Sequence, residues 1–317
     1  MPNATDKIDV HHHVIPEFFK EAVAEGGYTA TSYRPYPDWS PEISLALMDK
    51  AGVGKAYLSF SAPGIYFGDK AKACELGRRC NEYMAELKAA HPDRFGAFCV
   101  LPLPDIDGAL AEIEHALDEL KLNGIGLMTQ VGGQYQGNAE FEPVYEELNR
   151  RKRPIFIHPT YLPATEAKDM EVPDSIIEYP FDTTRTVTNM IYTGLLERHP
   201  DLRFILPHGG GTLPFLANRL ALFDRLPKFR DNFPEGSAAY LRRLYYDTAI
   251  IGDSAPLNAL QALAGPSQIL FGTDYPYVGD QVVLDQTGGT DDHDGFDPAA
   301  RRMMELDNAD RLFGAGG

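Results

Sequence analysis

Short runs dominated by apolar and β-branched residues alternate along the chain with longer stretches whose apolar positions recur every three to four residues. The short runs are KIDVHHH (7–13), KAYLSF (55–60), FGAFCVLP (95–102), GIGLMTQ (124–130), PIFIHP (154–159), RFILPH (203–208), LYYDTAI (244–250) and ILFGTDYP (269–276), eight in all. Their length and composition predict strands. Between them PEISLALMDKAGV (41–53), KACELGRRCNEYMAELKAAH (72–91), DGALAEIEHALDELK (107–121), FEPVYEELNRRK (141–152) and TVTNMIYTGLLERH (186–199) predict helices. In the third of these Leu110, Ile113, Leu117 and Leu120 share one face, while Glu112, Glu114, Asp118 and Glu119 fall largely on the other.

Eight strands alternating with helices predict parallel β/α units that close as a (β/α)8 TIM barrel, one domain over residues 1–317. An open doubly wound sheet is the alternative. No GxGxxG follows the first strand and no GxxxxGK[ST] occurs, so the usual marks of a nucleotide-binding open sheet are missing. Two stretches are expected as loops at the barrel mouth: the aromatic 26–41, suited to a lid over a flat ligand, and the acidic 287–297, which does not match a calcium-loop spacing.

Composition narrows the partners. With 29 basic and 46 acidic residues the formal charge is −17, which disfavours nucleic acid and anionic membranes. Cys74, Cys80 and Cys99 form neither a CxxC pair nor a disulfide framework, no run is long enough to span a membrane, and the N-terminus lacks a secretion signal. A cytoplasmic protein is expected.

Candidate chemistry sits at the strand ends. Strand alternation places Asp9, His11 and His13 on one face and Ile8, Val10, His12 and Val14 on the other. With the apolar set facing the surrounding helices, His11 and His13 point inward at the carboxyl end of the first strand, where barrel active sites are built. His12 is then a bystander that hydrogen-bonds behind the site or holds a neighbouring loop. His158, His208 and Asp274 close three further predicted strands. Four histidines and one aspartate at the strand ends of one barrel predict a metal site. The donor set predicts a divalent ion, zinc first, with manganese or another divalent metal as the alternative.

These motifs, IDVHxH, IFIHP, LPHGGGTLPF and FGTDYP, come with WSPEISLALMDKAGV, PDRFGAFCVLPLPD and a terminal NADRLF. Together they resemble the amidohydrolase superfamily over nearly the whole chain, and within it the decarboxylase branch typified by aminocarboxymuconate semialdehyde and 6-methylsalicylate decarboxylases. The resemblance implies that His11, His13, His158 and Asp274 ligate the metal and that His208 is a catalytic histidine beside it. GIGLMTQ contains no lysine to bridge a second ion, so one metal is implied. It further implies that Arg219, in HGGGTLPFLANR, reaches the substrate of a neighbouring subunit, and hence a homodimer. The family's second substrate arginine has no counterpart at the same spacing; Arg34 and Arg185 are the candidates for that role.

The implied activity is non-oxidative decarboxylation of a small aromatic acid, with a 2-hydroxybenzoate of the salicylate or 6-methylsalicylate type as substrate. Two routes fit: Asp274 protonates the carboxyl-bearing ring carbon with His208 relaying, or His208 acts as base toward a water that adds first. Hydrolysis of a lactone or amide is the alternative activity. A catalytically silent barrel is the third reading, and all five motif residues it would be free to lose are present.

Overall fold

The computed structural model describes residues 7–28, 35–161 and 172–314. Arg34 and part of the expected lid lie outside the described residues. All eight expected strands form: β1 Lys7–His13, β2 Val53–Ser59, β3 Phe95–Val100, β4 Gly124–Met128, β5 Pro154–His158, β6 Arg203–Leu206, β7 Tyr245–Asp247 and β8 Ile269–Leu270. They pair in parallel in chain order from β1 to β8. The ring closes where Phe271 O accepts from Val10 N (3.0 Å), Asp274 N donates to His11 O (2.8 Å) and Tyr275 O accepts from His13 N (2.7 Å). The fold is therefore the (β/α)8 barrel.

Alternation sorts the strand side chains into two cores. Ala56, Leu58, Ile125, Leu127, Ile155, Ile157, Phe204 and Leu206 pack outward against helix residues such as Leu47, Met84, Ile113, Leu148 and Val187. Ile8, Val10, Tyr57, Phe98, Phe156, Ile205 and Leu270 form a separate cluster drawn from six strands. Only the lumen can gather them. Leu312 and Phe313 of the C-terminal helix Asn308–Gly314 join this cluster, with Phe313 stacked on Tyr57 at 3.5 Å.

Ile8 and Val10 thus face the lumen, not the helices as simple alternation predicts. A bulge is the reason. Asp9 pairs with Ala56 while His12 pairs with Leu58, so β1 carries one residue more than β2 over this stretch. An extra residue reverses the side-chain phase. Val10 below it and His11 and His13 above it consequently all point inward, whereas Asp9 is drawn behind the strand.

The structure also corrects two boundaries and one face assignment. Residues 287–292 are not loop but the end of helix Asp280–Asp292, where Thr287 and Thr290 hydroxyls donate to Val283 O and Thr287 O (2.8 Å each). Gly289 packs there so closely on the chain that a Cβ would lie 1.9 Å from Gly252 O. The helix expected over 186–199 begins at Asp174, runs through Pro180 to Tyr192, and breaks at the left-handed Gly194 before Leu195–Arg198. Glu112, placed on the outer face by periodicity, is buried, accepting from Arg78 Nε and Asn81 Nδ2 at 2.8 Å each.

Candidate active site

His11 and His13 end β1, His158 ends β5, and Asp274 follows β8. One ligand atom from each lies within 4.8 Å of all the others, and all four side chains are buried. His11 Nε2 is 3.0 Å from His13 Nε2, and both are 3.2 Å from Asp274 Oδ1.

The outer hydrogen bonds decide which ring nitrogen faces this point. His158 Nδ1 is 2.7 Å from Pro159 O, and His13 Nδ1 is 3.3 Å from Ser59 O. A carbonyl only accepts, so His158 Nδ1 carries the proton and its Nε2 lone pair is free. The Ser59 hydroxyl, 3.0 Å from His13 Nδ1, donates to His12 O at 3.4 Å and so offers His13 an acceptor, which puts the His13 proton on Nδ1 as well. His11 Nδ1 meets the Asp247 carboxylate at 2.7 Å, with the same consequence. Three imidazole lone pairs and a carboxylate oxygen converge on one buried spot, which fits one divalent cation.

Electrostatics agree with that donor set. Burial disfavours the His11 imidazolium, but Asp247 and Asp274 outweigh it and push the imidazole up to about 10. Burial brings His13 down to about 4, and burial with the neighbouring His13 and His11 holds His158 well below its ordinary value. Burial opposes ionisation of Asp274, yet His11, His13 and the more distant His208 hold it well below the usual carboxylate range. At neutral pH two rings are neutral donors and the carboxyl is an anion, while His11 must release a proton to bind metal.

His208 opens a turn of four residues with left-handed φ, His208 at 54°, Gly209 at 63°, Gly210 at 77° and Gly211 at 65°. A Cβ on Gly211 would lie 2.1 Å from Pro180 O, so a side chain there would collide with the wall. The turn points His208 Nε2 at Asp274 Oδ2 from 3.6 Å, beyond hydrogen-bond distance. Among the described residues neither ring nitrogen of this buried histidine has a hydrogen-bond partner. Asp274 therefore turns Oδ1 to the metal-ligand cluster and Oδ2 to His208.

Above the cluster lies a cavity of about 480 Å³ whose wall includes His158, His208, Asp274, Ser61, Tyr179 and Tyr277. Burial holds both tyrosines well above their ordinary pKa, so they are neutral hydrogen-bond donors. Ile176, Ile250, Ile251 and Val278 supply apolar surface, and among the described residues no lysine or arginine lines the cavity.

The expected substrate arginines are placed differently. Arg185 lines another, open cleft and faces Glu178 at 3.8 Å. Arg219 is exposed on the helix Leu213–Leu220 that follows the glycine turn. His12 lies behind the site, as expected of a bystander: Nδ1 binds Asp9 and Nε2 binds Ser44, each at 3.0 Å. Trp39 Nε1 donates to the same Ser44 hydroxyl at 2.9 Å, tying the start of helix Pro41–Ala51 to the barrel.

The amidohydrolase family model matches residues 8–315. This chain belongs to the amidohydrolase family. Among its relatives, 6-methylsalicylic acid decarboxylase acuB of Aspergillus aculeatus is 38% identical over 279 residues, covering 85% of this chain and 84% of the relative. A structure of 2,6-dihydroxybenzoate decarboxylase complexed with 2,6-dihydroxybenzoate superposes with a TM-score of 0.83 at 26% identity, over 98% of this chain and 99% of that one. The dihydroxybenzoic acid decarboxylase of Polaromonas sp. JS666, with bound manganese and 2-nitroresorcinol, gives 0.83 at 23% identity over 98% of each chain.

Asp247, Tyr179 and Tyr277 were missed by sequence reasoning. Asp247 closes a strand, as Asp274 nearly does, and the strand-end criterion applied to LYYDTAI finds it. Tyr277 follows Asp274 by three residues, but nothing in the sequence separates Tyr179 from a packing tyrosine.

Proposed function

We propose that this protein is a metal-dependent, non-oxidative decarboxylase of a small aromatic acid, with a 2-hydroxybenzoate of the 6-methylsalicylate type as substrate. The observation that carries the reading is a buried His208 with two nitrogens unpartnered among the described residues, set against the free oxygen of Asp274 beneath a cavity of aromatic size. The 6-methylsalicylic acid decarboxylase relative gives it the substrate class.

His11, His13, His158 and Asp274 would hold one divalent ion. Three imidazoles and one carboxylate favour zinc, and manganese is the competing occupant. When bound, the ion supplies Lewis acidity to the phenol and carboxylate oxygens of the substrate. Tyr179 and Tyr277 donate hydrogen bonds from the wall without adding charge, and the isoleucines exclude water from the ring. His208 holds a proton facing Asp274 Oδ2, and Asp274 delivers it to the carboxyl-bearing ring carbon. The C–C bond then breaks, leaving its electron pair in the ring as carbon dioxide departs, and loss of the added strain of dearomatisation drives the step forward.

Among the described residues the cavity wall carries no lysine or arginine to meet the substrate carboxylate beside the metal site. We assign that role to Arg219 of a neighbouring subunit in a homodimer. Arg219 shares a helix face with Phe215, which is 89% exposed, and Leu222 beyond it is 70% exposed. Arg185, facing Glu178 in a separate cleft, is left out of this role. Cys74, Cys80 and Cys99 are free thiols, in keeping with a reducing, cytoplasmic setting.

The test is turnover of 6-methylsalicylate in D2O. The reading expects carbon dioxide and one deuterium at the vacated ring carbon. Lactone or amide cleavage by the same protein, without carbon dioxide from any 2-hydroxybenzoate, would replace it with a hydrolase.

A further inference from the structure

Asp247 is fully buried at the end of β7, and its two oxygens serve different elements. Oδ2 lies 2.7 Å from His11 Nδ1. Oδ1 accepts from His208 N at 2.8 Å and from Ala249 N at 3.1 Å. One carboxylate thus binds the ring of a candidate metal ligand and the backbone of the residue whose ring faces Asp274.

The close approach is built in. A Cβ on Gly272 would lie 3.0 Å from the Cβ atoms of both Asp247 and His11. Gly272 N itself donates to Thr248 Oγ1 at 3.2 Å, fixing the segment between them. His208 sits at a left-handed φ of 54°, a conformation that costs a side-chain-bearing residue energy and that the Oδ1 bond to its N–H helps hold.

We propose that Asp247 is a positioning residue that locks His11 with its proton on Nδ1, leaving Nε2 free for a divalent cation, and joins that lock to the turn presenting His208. This inference rests on the metal-centre reading above. Its requirement is for a carboxylate rather than for any polar group of the same shape. Three donors converge on Asp247, two backbone N–H groups on one oxygen and the His11 ring on the other. An asparagine offers one acceptor oxygen. Turned toward the two backbone donors, it presents its NH2 to His11 Nδ1, which must then accept, and the proton moves to Nε2 where the cation would bind.

The experiment measures zinc binding to the chelator-stripped full-length protein, its Asp247→Asn and Asp247→Ala variants, and Gly272→Ala. Zinc is the probe. Asp247→Asn is expected to raise the zinc Kd by about 10–100-fold. Asp247→Ala, whose His11 ring can take either tautomer, is expected to lose less affinity than the isosteric asparagine, and Gly272→Ala is expected to weaken zinc binding by a smaller factor. In the zinc-loaded wild type, 15N-histidine NMR is expected to show His11 protonated at Nδ1. Wild-type Kd retained within twofold in Asp247→Asn would overturn the lock, as would a His11 proton on Nε2 in the wild type, a readout that needs no variant to fold. Absence of zinc or manganese binding by the wild type would instead remove the metal centre itself.

Discussion

The two ends of the barrel lumen are built from the same strands and do opposite work. At the amino end Ile8, Val10, Tyr57, Phe98, Phe156, Ile205 and Leu270 fill the space and Phe313 seals it. At the carboxyl end His11, His13, His158, His208 and Asp274 crowd together. The two meet where Phe156 sits edge-on to His11 at 4.8 Å. One end gains free energy by removing apolar surface from water, while the other spends it on a buried carboxylate and several imidazoles held together by charge and hydrogen bonds. The β1 bulge marks the border, because it lets Val10 and His11, adjacent in sequence, both face inward.

That division can be broken from either side. Removing the chemistry while sparing the floor should have the largest effect: His11→Ala or Asp274→Asn should lose the metal or lower turnover on the order of 10³-fold with a cooperative melt retained. Comparable metal content and turnover in these variants would contradict it. The neighbouring-subunit role of Arg219 comes next. Arg219→Ala and His208→Ala should each be nearly inactive alone, and co-expression should partly restore carbon dioxide release by uniting an intact Arg219 with an intact His208 across one interface. No recovery in demonstrated mixed dimers would place Arg219 outside the site.

Cutting into the floor should do the reverse. Phe98 is fully buried between Tyr57, Phe156 and Phe313, so Phe98→Ala should cost about 3–5 kcal/mol in chemical denaturation, with zinc affinity unchanged at low denaturant. His12→Ala should cost about 1–3 kcal/mol by removing one buried hydrogen bond each from Asp9 and Ser44, which keep their bonds to Thr273 and Trp39, again with full metal content. An effect of His12→Ala on metal content as large as that of His11→Ala would erase the distinction between the two faces.

The smallest effect lies outside the lumen. Arg198, against the weaker opposition of burial and with help from His199, holds the Glu142 carboxyl down at about 2. A depressed carboxylate pKa stabilises the folded state above its unfolded value of about 4.5, and the contribution disappears as pH falls toward 2. Glu142→Gln should therefore flatten the stability profile between those limits by about 1 kcal/mol or less, and leave turnover at neutral pH untouched.

Much of this was legible because strand ends are short and their polar residues stand out against apolar runs. IFIHP, RFILPH and ILFGTDYP each announce a strand and its functional terminus in one stretch. The bulge was not legible, since a phase reversal leaves no mark of residue type in KIDVHHH. Asp247 was hidden by the aromatic pair before it, which reads as strand and draws attention from the acid that closes it. The helix through Pro180 and the one that runs through the Gly288 and Gly289 pair to Asp292 defeat local propensity because tertiary contacts, such as Gly289 against Gly252 O, decide there.

One sample tests the central claim most directly: protein stripped of metal, titrated with zinc or manganese, and assayed after each addition for bound metal and for carbon dioxide released from 6-methylsalicylate. The account predicts that activity rises in proportion to occupancy and saturates at one ion per chain. Full carbon dioxide release from metal-free protein, or saturation with one ion bound and none released from any 2-hydroxybenzoate, would contradict it.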